Sequence, residues 1–250
     1  MAVDVLTLAD RNLAYQRQSG DTERKVGVLF LSGYASDMAG SKASFLAARC
    51  AAHGVPFLRF DYRGCGQSSG RFEDGTIGAW AADALEVFDR LTTGPQIVIG
   101  SSMGAWIGLK LVQARSARIK ALIGVAAAPD FTENLIWAAL TEDERAQLMR
   151  DGILSNAEGR GPLTLRFLEE ARQHLVLSAP LSVPCPLRLI HGMRDQDVPW
   201  GIATQLAAHV AQEDVTLTLI KNGDHRLSNP EDLEILWQTV ESFLSSGAPN

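Results

Sequence analysis

The stretch Gly100-Ser101-Ser102-Met103-Gly104 constrains this chain more than any other. It follows Gln96-Ile97-Val98-Ile99, a short β-branched run bounded by Gly94-Pro95, and precedes a helix-forming run from Ala105 to Gln113. The order is therefore strand, tight turn, helix. In a Gly-x-Ser-x-Gly turn the glycines remove side chains that would collide where the chain folds back. The central serine is then held on a strained backbone with its hydroxyl exposed. The register selects Ser102, not Ser101, as the candidate nucleophile.

The same alternation runs through much of the chain. Lys25 to Leu31 is a continuous apolar run closed by Ser32-Gly33, the pattern of a strand buried on both faces. A helix from about Lys42 to His53 is ended by Gly54 and Pro56, and Pro56 to Asp61 is the next strand. The helix Thr76 to Leu91 places Ile77, Trp80, Ala84, Phe88 and Leu91 on one stripe. Ile119 to Val125, Leu187 to His191 and Val215 to Ile220 read as later strands. Trp200 to Ala211 and a terminal helix capped by Asn229 read as later helices, and Val3 to Leu8 with Leu13 to Gln18 as an edge hairpin. Strands and helices at this spacing pair in parallel through right-handed crossovers, so the expected class is an α/β fold with a mostly parallel central sheet.

From Ala126 to about Val183 the alternation stops. No strand is expected there; Phe131 to Leu140, Glu142 to Arg150 and Leu163 to Leu177 read as helices, the second opened by a Thr141/Glu144 capping box and closed by Asp151-Gly152. Residues 1–250 are expected to form one domain, with residues 127–183 inserted as an all-helical cap. Crevices of open α/β sheets lie beyond the carboxyl ends of the strands, so such an insertion covers the binding site as a lid.

Charge and cysteine usage remove other functions. A formal net charge of −6 with no dense Lys/Arg run leaves no electrostatic footprint for nucleic acid or anionic lipid. No apolar run approaches the ~20 residues of a membrane span, and Met1-Ala2-Val3-Asp4-Val5 lacks the pattern of a secretory signal. Cys50, Cys65 and Cys185 form no C-x-x-C pair and cannot all pair within one chain, which points to a reducing compartment and away from zinc. The glycine-rich turn Asp61 to Gly70 has the spacing G-x-G-x-x-S with no helix opening after it, so it reads as structural and not as a nucleotide site. No cofactor or metal is expected.

Ser102 needs a base to take its proton and an acid to orient that base. On a strand-turn-helix elbow of this kind the acid and then the histidine follow the serine in the chain, on turns after later strands. Two segments qualify: His191 to Pro199, offering Asp195 or Asp197, and Gly223-Asp224-His225-Arg226. Of the five histidines, His53 and His209 lie near helix ends, His174 lies in the insertion, and His191 ends a strand upstream of the acid. These four read as structural or solvent-facing, and His225 is left as the base.

With these pieces, and with the stretches Arg59-Phe60-Asp61-Tyr62-Arg63-Gly64, Gly94 to Ser102, Ala121 to Ala126 and Cys185 to Met193, the sequence resembles the α/β-hydrolase family with a helical cap. Within it, the resemblance is to the branch of mitochondrial palmitoyl-protein thioesterases also described as acyl-glucuronide esterases, and it covers most of the chain. It implies that Ser102, Asp195 and His225 are nucleophile, acid and base, with Asp195 favoured over Asp197. It also implies an oxyanion hole built from the N–H groups of Met103 and, in the loop Leu31-Ser32-Gly33-Tyr34, of Tyr34. The implied activity is cofactor-free hydrolysis of a small-molecule carboxylic ester or thioester, or of an acylated protein, through an acyl-enzyme. A peptidase, an amidase, a carbon–carbon bond hydrolase and a ligand-binding member without turnover are the alternatives. Dehalogenase and epoxide hydrolase chemistry would need an aspartate in place of Ser102. The start of the chain has no mitochondrial presequence, so the expected setting is the cytoplasm of a bacterium or, for a processed organellar relative, the mitochondrial matrix. Leu135 and Trp137, from the apolar run Phe131 to Leu140 of the cap, are candidates for an acyl pocket.

Overall fold

In a computed structural model of the chain, which describes residues 2–21, 26–155 and 161–245, the chain opens with the expected hairpin, β1 (Asp4–Thr7) and β2 (Asn12–Gln18). It continues through β3 (Gly27–Leu31), α1 (Ser41–Ala52), β4 (Phe57–Phe60), α2 (Ile77–Leu91), β5 (Gln96–Ser101), α3 (Met103–Arg115) and β6 (Ile119–Val125). A helical insertion then carries α4 (Glu142–Asp151), β7 (Ile153–Leu154), β8 (Leu163–Thr164) and α5 (Leu165–Ala171). The chain returns through β9 (Leu187–Gly192), α6 (Gly201–His209), β10 (Val215–Ile220) and α7 (Pro230–Ser245). Lys25, the predicted start of β3, lies outside the described residues.

Eight strands form one sheet in the order β1-β2-β4-β3-β5-β6-β9-β10. The first two contacts in that order are antiparallel and the remaining five parallel. From β3 the chain steps outward to β4 and then crosses back to β5 on the other side. That reversal opens a crevice at the carboxyl ends of β3 and β5, where Gly33 and Ser102 stand.

Every residue of β3 and of β5 is buried, as the apolar runs Val28 to Leu31 and Ile97 to Ile99 require. Alternation along β3 divides the core in two. Val28 and Phe30 join Ile97 and Ile99 against α1 and α7, through Leu46, Cys50, Leu236 and Trp237. Leu29 and Leu31 join Val98 on the other face, against Trp80 of α2 and Trp106 of α3. The α3 sequence is apolar all round because the insertion covers it: Trp106 Nε1 donates to His174 O at 3.0 Å.

The insertion departs from the all-helical expectation in three places. Ile153 and Leu154 pair antiparallel with Thr164 and Leu163, a ribbon too short to leave a period in the sequence. The predicted helix Leu163–Leu177 is only Leu165–Ala171, followed by a 3₁₀ turn at Arg172–His174. Thr164 fixes its start by accepting from Phe167 N–H. Beyond its end the buried Asp130 carboxylate takes the N–H groups of Val176 and Leu177, which therefore leave the helical ladder. The third departure is Thr132–Trp137, a π-helical stretch instead of α. The capping box of α4 and its left-handed Gly152 terminus are as expected.

The Asp61–Gly70 turn is structural, as expected. Asp61 receives the N–H groups of Met38 and Gln67, and Arg63 lies on Asp83 of α2, whose side chain is fully buried. Arg11 Nε donates to the same carboxylate at 2.7 Å and Arg63 N–H at 2.9 Å. Deleting one partner of such a group strands the other charges, at a typical cost of about 3–5 kcal/mol. Asp83→Ala is expected to lower unfolding stability by roughly that amount, and a urea midpoint matching that of the parent would contradict it.

Candidate active site

Ser102 sits at φ 54° and ψ −119° between β5 and α3. A non-glycine residue held in so sparsely populated a region costs on the order of 1–3 kcal/mol, so its surroundings must impose it. They do so from three sides. Ser102 N–H donates to Val125 O at 2.9 Å, and Ser102 O accepts from Ala105 N–H at 3.0 Å and Ala128 N–H at 3.3 Å. The flanking glycines are demanded by contact. A Cβ on Gly104 would stand 2.2 Å from Leu31 O, and one on Gly100 2.4 Å from Ala105 N. The motif thus brings β3 and α3 into backbone contact and places Ser102 at the carboxyl end of β5.

Met103 opens α3, so its N–H has no partner within the helix and lies at the positive end of the helix dipole. The loop after β3 lies against the same elbow: a Cβ on Gly33 would be 3.3 Å from Ser101 O and 3.4 Å from Ser102 Cβ. Tyr34 follows. Its side chain carries a role that the sequence did not disclose. The phenol donates to Pro162 O at 2.9 Å, and the ring stacks on Phe167 at 5.1 Å and meets Phe72 and Phe131 edge-on. Burial pushes this phenol well above its ordinary value, so it acts as a neutral donor. One residue therefore joins the loop beside Ser102 to the insertion.

The candidate acid and base come from the turns after β9 and β10. These turns pack backbone to backbone: a Cβ on Gly192 would be 2.3 Å from Gly223 O, and Arg194 N–H donates to that oxygen at 2.9 Å. His225 Nδ1 lies 2.7 Å from Asp195 Oδ2. A carboxylate only accepts, so the hydrogen is on Nδ1, and in the neutral ring Nε2 is left with the lone pair. Asp195 Oδ1 accepts from Asp197 N–H and Val198 N–H at 2.9 and 2.8 Å. Burial alone would raise the Asp195 carboxyl, but the bonds from His191, His225 and Val198 N–H outweigh it and hold the group well below the usual carboxylate range. From α1, Lys42 Nζ donates to Arg226 O beside the histidine, and burial draws its ammonium down to about 8.

Because β3, β5, β9 and β10 run parallel, Tyr34, Ser102, Asp195 and His225 all stand at one edge of the sheet. Asp197 is exposed and supplies a backbone N–H to Asp195. One ligand-type atom from each of Asp195, Asp197 and His225 lies within 4.8 Å of the others, a grouping absent from the sequence spacing; within it the Asp195–His225 contact is the hydrogen bond described above. Leu135 and Trp137 are half-buried on the π-helical stretch, with the Trp137 ring between Arg145 at 5.3 Å and Arg172 at 4.9 Å. His53 and His174 make contacts within one helical turn, with Arg49 O and Glu170, and His209 meets Ala179 O. His191 is not solvent-facing: it is fully buried, 3.2 Å from Asp195. All three cysteines are buried and free, and burial pushes the Cys50 and Cys65 thiols up to about 12 and Cys185 to about 11, which leaves no thiolate to compete with Ser102.

The sequence matches the alpha/beta hydrolase family over residues 28–234. Palmitoyl-protein thioesterase ABHD10, mitochondrial, of Mus musculus is 38% identical over 237 residues, spanning 93% of this chain and 79% of the relative. The solved structure of alpha/beta hydrolase domain-containing protein 10 from mouse superposes with a TM-score of 0.89 at 35% identity, over 98% of both chains. A putative hydrolase from Agrobacterium vitis S4 superposes with a TM-score of 0.92 at 34% identity, over 98% of this chain and 100% of the other.

The geometry separates the two candidate acids. Asp195→Asn replaces an acceptor of the His225 Nδ1 hydrogen with an amide that can present a donor, which disturbs the tautomer the base needs, and is expected to lower kcat by several orders of magnitude. Asp197→Asn keeps its backbone N–H on Asp195 and is expected to stay within about tenfold of the parent. Equal losses in steady-state ester hydrolysis would refute the assignment.

Proposed function

This chain belongs to the alpha/beta hydrolase family and is a serine hydrolase; from that premise we propose that it cleaves carboxylic esters or thioesters of acyl groups through an acyl-enzyme on Ser102. The observation that carries the reading is the 2.7 Å bond between His225 and Asp195 at the sheet edge that also bears the strained Ser102. In the proposed cycle His225 Nε2 takes the hydroxyl proton as Ser102 Oγ attacks the acyl carbon. The resulting oxyanion lies against the N–H groups of Met103 and Tyr34. His225 then returns the proton to the departing alcohol or thiol, and water repeats the sequence to release the acid. No step calls for a cofactor.

The name of the mouse relative assigns it palmitoyl-protein thioesterase action in mitochondria. On that footing a long-chain acyl thioester, small or protein-borne, leads the proposed substrates, ahead of an acyl glucuronide. The mitochondrial matrix, or the cytoplasm for a bacterial chain, is the proposed compartment. Residues 127–183 are proposed as the cap of a single domain, with Leu135 and Trp137 toward the acyl chain. The packing of Leu135, Ile136, Trp137 and Leu140 on the main core supports the cap as part of one domain.

Ser102→Ala is expected to abolish fluorophosphonate labelling and to reduce turnover of a panel of oxygen esters, thioesters and acyl glucuronides by several orders of magnitude, since nucleophile and base act as a unit. Retained labelling would place the nucleophile elsewhere. Each methylene buried in an acyl pocket contributes up to ~0.8 kcal/mol, nearly fourfold in kcat/KM. Specificity for p-nitrophenyl esters is therefore expected to rise with chain length from acetate and then level off, with Trp137→Ala flattening the rise and sparing acetate. A flat profile in the parent would show that the cap does not read the acyl chain.

A further inference from the structure

His191 ends in the core directly beneath the acid. It lies on β9 four residues before Asp195, and both side chains are fully buried. Its Nε2 is 3.0 Å from Val198 O and 3.2 Å from Asp195 Oδ2, the oxygen that also receives the His225 Nδ1 hydrogen. Its Nδ1 is buried with no partner among the described residues. Orphaned N–H groups are rarer in protein interiors than unused acceptors, so the ring hydrogen belongs on Nε2, where two acceptors wait.

We infer that His191 is a positioning residue of the catalytic acid: its single Nε2 hydrogen, shared between Val198 O and Asp195 Oδ2, locks the carboxylate and weakens the hold of that oxygen on His225. The inference rests on the Ser102–His225–Asp195 reading. Its physical content follows from counting donors. Oδ1 has the N–H groups of Asp197 and Val198, and Oδ2 has the rings of His225 and His191. Four donors leave the carboxylate no freedom to turn. They also spread its charge, so it steers His225 and steadies the imidazolium without trapping the proton there. Other ionisable groups near the dyad include Arg194 and Asp197 on the acid turn, Asp224 and Arg226 beside His225, Lys42 from α1 and, acting on Lys42, the buried Asp232 of α7. Arg194, Asp197, Asp224 and Arg226 are exposed and Lys42 half-buried, whereas His191 acts from within the sheet, where water screens it least.

The test compares three replacements. His191→Leu removes the hydrogen, His191→Asn keeps an amide too short to reach Asp195, and His191→Gln carries an N–H close to the place of Nε2. Fluorophosphonate labelling of the parent at Ser102 comes first, because an unlabelled parent would overturn the triad and this inference with it. With a labelled parent, the Leu and Asn variants are expected to lose about ten- to a hundredfold in kcat, the worth of one hydrogen bond to a charged group, while KM stays within about twofold. The acid limb of the kcat/KM profile is expected to move to higher pH, because an under-donated Asp195 holds the proton on His225 more firmly. The Gln variant is expected to recover most of kcat and return the limb to its parent position. An acid limb in the Leu and Asn variants that stays put or moves lower, or a Gln variant no better than Asn, would reduce His191 to a packing residue and overturn the inference for a labelled parent. Should the Leu variant fail to fold, the Asn and Gln pair makes the same comparison.

Discussion

The left-handed backbone of Ser102 is the constraint on which the site depends. It is held by a hydrogen bond to β6 and by two glycines whose missing Cβ atoms let β3 and α3 close on the turn. Each of those neighbours is itself fixed by burial, since β3 and β5 are covered on both faces. The strain in one residue is thus supported by the packing of the whole sheet. That is why the elbow occurs at its centre and not on an edge strand such as β10, which is nowhere fully buried.

The candidate acid and base depend on a different set of contacts. Asp195 is withdrawn from water, which by itself would favour protonation, yet its hydrogen bonds keep it ionised. Two of them come from its own turn and two from imidazole rings, His191 on β9 and His225 on the turn after β10. The close contact of Gly192 with Gly223 brings those turns together, so the register of β9 against β10 sets the geometry of the dyad. Here a backbone approach, not side-chain reach, decides whether a carboxylate meets its histidine.

Tyr34 links these elements to the insertion. Its ring lies among Phe72, Phe131 and Phe167 and its hydroxyl bonds Pro162 O, while its neighbour Gly33 touches the elbow. Movement of the insertion would therefore be felt by the loop proposed to stabilise the oxyanion. The departures within the insertion have local causes of the same type. Thr164 and Asp130 each capture N–H groups that a uniform helix would have used internally.

Legible in the amino-acid sequence alone were the alternation of strands and helices, the elbow at Ser102, the chain order of the candidate acid and base, and the structural character of the Asp61–Gly70 turn. These are written in local signals: apolar runs, glycine spacing and caps. It narrowed the acid to Asp195 or Asp197, and resemblance favoured the first. The tertiary structure decided what depends on distant segments meeting. It set Asp195 against His225, thirty positions apart in the chain, placed His191, which reads from the sequence as structural or solvent-facing, in the core beside Asp195, and gave the Tyr34 side chain its carbonyl partner 128 positions away. It also cut short the predicted Leu163–Leu177 helix, because Asp130 reaches Val176 only once the fold has closed. Local periodicity reports the environment of one segment, whereas a hydrogen bond between distant residues exists only when packing has brought both into place.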